Sequence, residues 1–224
     1  AYDDSERFLP GDVLAEHFAV PQLSLLQPEV AKQHPRRVQK ILRMARKDPS
    51  YWDSKFWNDG MIRISGREYN GLLESPCFQR GDQSCISCHG LHQAGDDPRP
   101  RDAWTSDQLA HGMDTNAACL QCHEQFAEEK TLVEHTHHRP ETSLCYDCHM
   151  PHTTYGIQKA HRSHEITSPD VASSLATGRN NGCNHCHLDQ TLGWTAGYLQ
   201  AWYGIPAPEL DDEARTLSAG ALWA

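Results

Sequence analysis

Four five-residue segments constrain this chain more than anything else in it: Cys85-Ile86-Ser87-Cys88-His89, Cys119-Leu120-Gln121-Cys122-His123, Cys145-Tyr146-Asp147-Cys148-His149 and Cys183-Asn184-His185-Cys186-His187. Each reads C-x-x-C-H, the attachment signature of c-type haem. The chemistry needs this spacing. Two thiols add to the two vinyl groups along one porphyrin edge, and the following imidazole then reaches the iron from one face. Zinc also uses C-x-x-C pairs. At this chain's histidine content, 15 in 224 residues, a His after all four pairs has chance odds of about 2 in 100,000. A redox dithiol gives no reason for the His at all. The sequence therefore predicts four haem c groups, with Cys85, Cys88, Cys119, Cys122, Cys145, Cys148, Cys183 and Cys186 as thioether residues. His89, His123, His149 and His187 are the expected proximal ligands.

Four haems within residues 85–187 lie close together and are expected to form much of the core. Composition agrees: only 38% of residues are hydrophobic, while Gly and Pro number 15 and 13. Side chains alone would make a thin core, and the aromatic content argues against a disordered chain. The motifs start 34, 26 and 38 residues apart, so they are not equal repeats of a solenoid. The formal net charge of -10 disfavours nucleic acid and anionic lipid as general partners and suits a basic patch on a partner. No apolar run is long enough to span a membrane. The start, Ala1-Tyr2-Asp3-Asp4, carries no signal-peptide pattern and reads as a processed chain or a fragment.

The expected fold is mainly α with extensive irregular chain. Residues 1–75 form a helical and hairpin cap, 76–204 the tetrahaem region, and 205–224 an acidic tail or short helix. Pro28 and Pro35 can open helices. Val38, Ile41, Leu42 and Ala45 then recur at helical spacing. The same stretch holds Lys32, Arg36, Arg37, Lys40, Arg43, Arg46 and Lys47, which read as a solvated face or as a dock for a partner or for haem propionates. Ser65-Gly66 and Asn70-Gly71 suggest a hairpin over 61–73. Trp194, Tyr198 and Trp202 form one aromatic stripe over 191–203, a packing face that a haem could cover.

Eleven histidines remain for the sixth ligand. Met44, Met61 and Met113 are isolated, and Met150 is too near its own motif to fold over the far face. Histidine is the expectation, which lowers potential relative to methionine. His111 and His137 each lie eight residues before a motif, His92 lies three after a proximal ligand, and His164 closes His161-Arg162-Ser163-His164. These four are the first candidates as distal ligands, with His138, His161 and His152 behind them. The ninth cysteine, Cys77, lies eight residues before Cys85. It reads as a small buried hydrophobe, or as a group facing a haem.

The run from Cys145 to Pro151 followed by His161-Arg162-Ser163-His164 resembles the multihaem cytochromes related to nitrogen-cycle tetrahaem carriers and to cytochrome c nitrite reductase. The phrase Gly66 to Cys77, with His135-Thr136-His137-His138 and the fourth motif, is similar to a group of bacterial doubled C-x-x-C-H cytochromes. The resemblance covers about residues 55–204. It implies bis-His haems in close pairs, a wire-like role, and His137 or His138 with His164 as distal ligands. It also implies attachment outside the cytoplasm, hence a periplasmic or extracellular location. No C-x-x-C-K motif is present, and no helical repeats follow residue 204; both weigh against catalysis. The function expected is single-electron transfer with redox partner proteins or an extracellular acceptor. The alternatives are a filament subunit that self-assembles, and an enzyme acting on small nitrogen compounds at a five-coordinate haem.

Overall fold

The computed structural model describes residues 8–9, 11–18, 20–156 and 158–219. Parts of the expected cap (1–7, 10 and 19) and of the expected tail (220–224) lie outside them. The chain is 49% helix and 5% strand, which makes it mainly α. In chain order the helices are α1 (Leu14–His17), α2 (Pro28–Gln33), α3 (Pro35–Lys47), α4 (Tyr51–Lys55), α5 (Glu68–Glu74), α6 (Pro76–Arg80) and α7 (Arg101–Asp107). They continue as α8 (Ala117–Leu120), α9 (Glu129–Thr136), α10 (Cys145–His149), α11 (Val171–Thr177), α12 (Leu192–Tyr203) and α13 (Asp212–Ala219). One antiparallel pair, β1 (Thr154–Gly156) and β2 (Lys159–His161), sets Thr154 opposite His161.

Local chemistry explains the ends. Pro28 and Pro35 open α2 and α3, where a missing N–H costs nothing. Asp170 caps α11 by accepting from the amides of Ala172 and Ser173, and Thr191 caps α12 by accepting from the amide of Trp194. Gly178 and Gly204 end these two helices in the left-handed region, at φ +74 and +67. On α3, Ile41 is fully buried. With Met44 and Ala45 it forms the inward face, and the latter two pack against Tyr51, Phe56 and Ile62. Burying one such side chain stabilises by about 1.5–3 kcal/mol. Val171, Ala196 and Leu199 make a second cluster joining α11 to α12.

The hairpin expected over 61–73 does not form. Gly66 turns the chain at φ +81, but the second arm is α5. Ile62 bridges Phe56, and Ile64 bridges Tyr155 of β1, so the first arm pairs with distant chain. Asn70-Gly71, a turn dipeptide in other contexts, lies inside α5. A Cβ on Gly71 would stand 2.9 Å from the amide nitrogen of Glu165 and 3.1 Å from the carbonyl carbon of His164. The glycine is there for close approach, a role that looks the same in sequence as a turn. The cap is thus pressed against the backbone of His164. The Trp57 indole strengthens that junction by donating to the Thr153 carbonyl at 3.1 Å.

Candidate metal centres

Each C-x-x-C-H segment closes a tight helical turn. The amide of His89 donates to the Cys85 carbonyl at 2.9 Å, that of His123 to Cys119 at 3.0 Å, and that of His187 to Cys183 at 3.0 Å. The third segment is α10 itself. Residues three and four apart on such a turn share one side, so each segment presents two thiols and an imidazole together.

The segments touch in sequence order. Gln121 of the second donates to the Ser87 carbonyl of the first at 3.0 Å. Asn116, just before the second, accepts from the Cys145 amide of the third at 2.8 Å, and the Tyr146 hydroxyl donates to the Asp114 carbonyl. A Cβ on Gly182, ahead of the fourth, would stand 3.1 Å from the Cys148 carbonyl oxygen. The thiols follow the same file. Burial, then the neighbouring Cys122, raises the Cys88 thiol. Cys119 donates to Cys145, which lowers Cys145 to about 7 and raises Cys119. Burial, then Cys183, pushes Cys148 up to about 11.

Three motif imidazoles face a second imidazole. His89 and His164 have ring centroids 6.1 Å apart with planes at 20°. His149 and His135 are 6.2 Å apart with ring planes almost parallel, at 3°. His187 and His138 are 5.9 Å apart at 49°. An imidazole nitrogen binds a metal at about 2.0–2.1 Å and lies about 1.1 Å from its own ring centre, so rings on opposite sides of one iron have centroids about 6.3 Å apart. All three centroid separations lie close to that distance. Among the described residues, no three His, Cys, Asp or Glu side chains converge on one point as a bare-ion site. Pairs of axial ligands are what a porphyrin leaves for the protein to supply.

Backbone groups orient several of these rings. The Nδ1 of His89 lies 3.0 Å from the Asp107 carbonyl, that of His149 lies 2.9 Å from the Thr167 carbonyl, and that of His138 lies 2.5 Å from the Thr136 carbonyl. A carbonyl at Nδ1 selects the tautomer with its proton there and frees Nε2 for a metal. Burial is the main cause that lowers the imidazoles of His149, His164 and His135 below their ordinary pKa. They stay neutral, as metal binding requires.

His164 is delivered by a clamp on α10. Arg162 forms an ion pair with Asp147 at 2.7 Å, donates to the carbonyls of Tyr146 and Met150, and stacks over the Tyr146 ring at 4.3 Å. The Thr167 amide donates to the His149 carbonyl at 3.0 Å. Ser163, fully buried, donates its amide to the Pro151 carbonyl. The segment is thereby fixed across the third motif while its His164 reaches the first.

The end of α9 sets two pairs at once. His135 is in its last turn, and His137 follows at φ +55. That left-handed residue turns the chain so that His135 faces the third motif and His138 the fourth. The His137 ring stacks on Trp202 at 4.1 Å and is not set against a motif imidazole. The spacing of eight residues between His137 and Cys145 carries no sign of this turn. His135, which that spacing does not single out, is the one set against the third motif. Its ring also stacks on Phe126 at 4.5 Å, and its carbonyl accepts from the Tyr203 hydroxyl at 2.6 Å. On the aromatic stripe, Trp194 packs against His187 at 4.9 Å.

The other candidates lie elsewhere. His92 and His111 are exposed. His152 faces His185 at 6.5 Å and 65°. His161 lies on β2 with its Nε2 3.3 Å from the Gly156 carbonyl. Cys77 is half-buried on α6 and close enough to Cys119 to raise its thiol. Comparison of the chain with family models, curated proteins and solved structures gave no match.

Proposed function

We propose that this chain is an electron-transfer protein carrying four covalently attached haem c groups outside the cytoplasm, in the periplasm or at the cell exterior. The observation that carries the reading is the trio of imidazole pairs, each joining a motif histidine to a histidine from another part of the chain at an iron-spanning distance. The eight motif cysteines tether the groups, and His89, His123, His149 and His187 are proximal ligands. His164, His135 and His138 are assigned as distal ligands to the first, third and fourth sites. When bound, haem supplies reversible one-electron iron chemistry. The chain would supply imidazole nitrogens to the irons, it fixes the tautomers of His89, His149 and His138 through backbone carbonyls, and it holds the motifs in contact in sequence order. At the first, third and fourth sites two imidazoles would hold each iron and leave no position for a substrate, so those sites would conduct and not catalyse. Redox proteins or an extracellular acceptor are the proposed partners.

A second reading concerns His123. Among the described residues it is the motif histidine without a facing ring, so the enzyme alternative attaches to the second site. One experiment addresses both. Haem is counted per chain, and low-temperature EPR is recorded on the wild type and on His135→Ala, His137→Ala and His164→Ala. Four haems are expected. His135→Ala and His164→Ala each convert about one quarter of the low-spin signal to high spin, and His137→Ala converts none. Fewer than four haems per chain refutes the reading. A high-spin signal in the wild type brings the enzyme reading forward.

A further inference from the structure

Helix α3 carries a charge pattern that the folded chain does not use. Arg36, Lys40, Arg43 and Lys47 are spaced four, three and four residues apart, which puts them within about 60° of arc on one face. All four are exposed, as is Arg46. The opposite face, Ile41, Met44 and Ala45, is the one packed inward. None of these five cations forms an ion pair among the described residues. Arg37 is engaged with the Gln22 side chain at 3.3 Å, and Lys32 pairs with Glu29. Arg46 and Lys47 suit the negative end of the helix, but Arg36 stands in the first turn, which holds no acidic residue and where a cation is disfavoured. Arg36, Lys40, Arg43 and Lys47 also stand as successive like-charge neighbours, an arrangement that weakens a helix. Within one molecule the stripe, Lys47 apart, brings cost.

The complement lies at the other end of the motif series. Glu209, Asp211, Asp212 and Glu213 are exposed where α13 begins. α13 packs back on α12, and α12 lies against His187 of the fourth motif through Trp194. The stripe belongs to the cap, which is pressed against His164, the partner of His89 in the first motif. Basic and acidic faces therefore flank the first and the last of the four sites. The chain as a whole is at -10. That repels an extended polyanion such as a membrane or nucleic acid, but leaves a compact acidic patch free to dock.

We infer that the basic stripe of α3 is a docking face for the acidic 209–213 segment of a second copy of this chain. Two different faces meet in such a contact, so it is heterologous and extends head to tail instead of closing as a symmetric dimer. The contact does not depend on the haem reading. Electrical continuity from copy to copy does rest on it.

The test uses the full haem-loaded chain, with haem content measured separately. Sedimentation at about 100 µM is compared in 0.1 M and 1 M salt, where the screening length falls from about 10 Å to about 3 Å. The average mass is expected to be at least about twice that of the monomer in 0.1 M salt and to return to the monomer in 1 M. Arg36→Glu/Lys40→Glu/Arg43→Glu and, separately, Glu209→Lys/Glu213→Lys are each expected to be monomeric; the second spares Asp211, which caps α13 through the Ala214 amide. Mixed one to one, the stripe-reversed variant still offers its tail and the tail-reversed variant still offers its stripe. The mixture is expected to form a complex that neither variant forms alone. A wild type that is monomeric at both salt concentrations overturns the inference. So does assembly that survives either reversal, or a mixture that forms no complex while the wild type assembles.

Discussion

Val20, Leu25, Ile41, Tyr51, Phe56, Met61, Ile62 and Leu72 are buried in the cap, whereas between residues 76 and 170 only Trp104, Leu132 and Pro151 are buried apolar side chains among the described residues. The contrast goes further at the motifs. Ile86, Leu91 and Leu188, within or beside C-x-x-C-H segments, are 70%, 81% and 83% exposed. The cap coheres as ordinary globular chain does, through apolar burial. The cysteine–histidine region coheres through backbone and side-chain polar contacts between neighbouring motifs, and on the proposed reading through four flat apolar groups that its own side chains do not replace. Two regions of one molecule thus have different requirements for stability.

The largest expected effect separates the regions outright. On the proposed reading, a chain produced without haem attachment is expected to keep amide protection over residues 35–62, while residues 85–149 exchange about tenfold faster or more, as weakly packed regions do. Equal protection in both regions would abolish the contrast. Next in size, Ile41→Ala is expected to destabilise the cap by about 2–5 kcal/mol, measured by urea titration of tryptophan fluorescence, with the haem absorption unchanged at low denaturant. Gly71→Ala probes the junction. Its Cβ meets the backbone at His164 and Glu165, so a loss of about 1–3 kcal/mol is expected, together with a spectral change confined to the site of His89. A spectrum altered at several sites would show that the junction reaches beyond the first.

The smallest effect concerns a cap in the conventional C-terminal cluster. Burial raises the Asp170 carboxyl, but hydrogen bonds from Ser173 and Ala172 outweigh it and hold the group below its ordinary 3.8. A carboxylate lowered in the folded state adds stability above the ordinary value and loses it as pH falls through the lowered one. Asp170→Ala is expected to cost about 0.5–2 kcal/mol at pH 7. The gap to wild type closes as the pH drops below about 3.8, which paired urea titrations at pH 7 and pH 3 would measure.

The same division governs what could be read from sequence. The cysteine and histidine positions of the four motifs are a fixed local pattern, and the structure folds each motif into one tight turn. Helices α3 and α12 were legible because Pro35, the apolar spacing and the aromatic stripe act locally. The facing imidazoles are a tertiary matter. His164 is a candidate from the segment it closes, but which of His135, His137 and His138 faces a motif imidazole depends on the left-handed conformation at position 137, which composition does not signal. Asn70-Gly71 misled for a related reason, since the demand on Gly71 comes from chain more than 90 residues away.

The placement of the facing histidines has a consequence for the order in which such a chain can be completed. His135 precedes His149, and His138 precedes His187, so in a chain that emerges amino end first these two partners are already waiting when their motifs appear. His164 comes 75 residues after His89. On the proposed reading, the first motif to emerge is therefore the last of the three to be closed, and until that moment its group would stand open on one side to whatever small molecule is at hand.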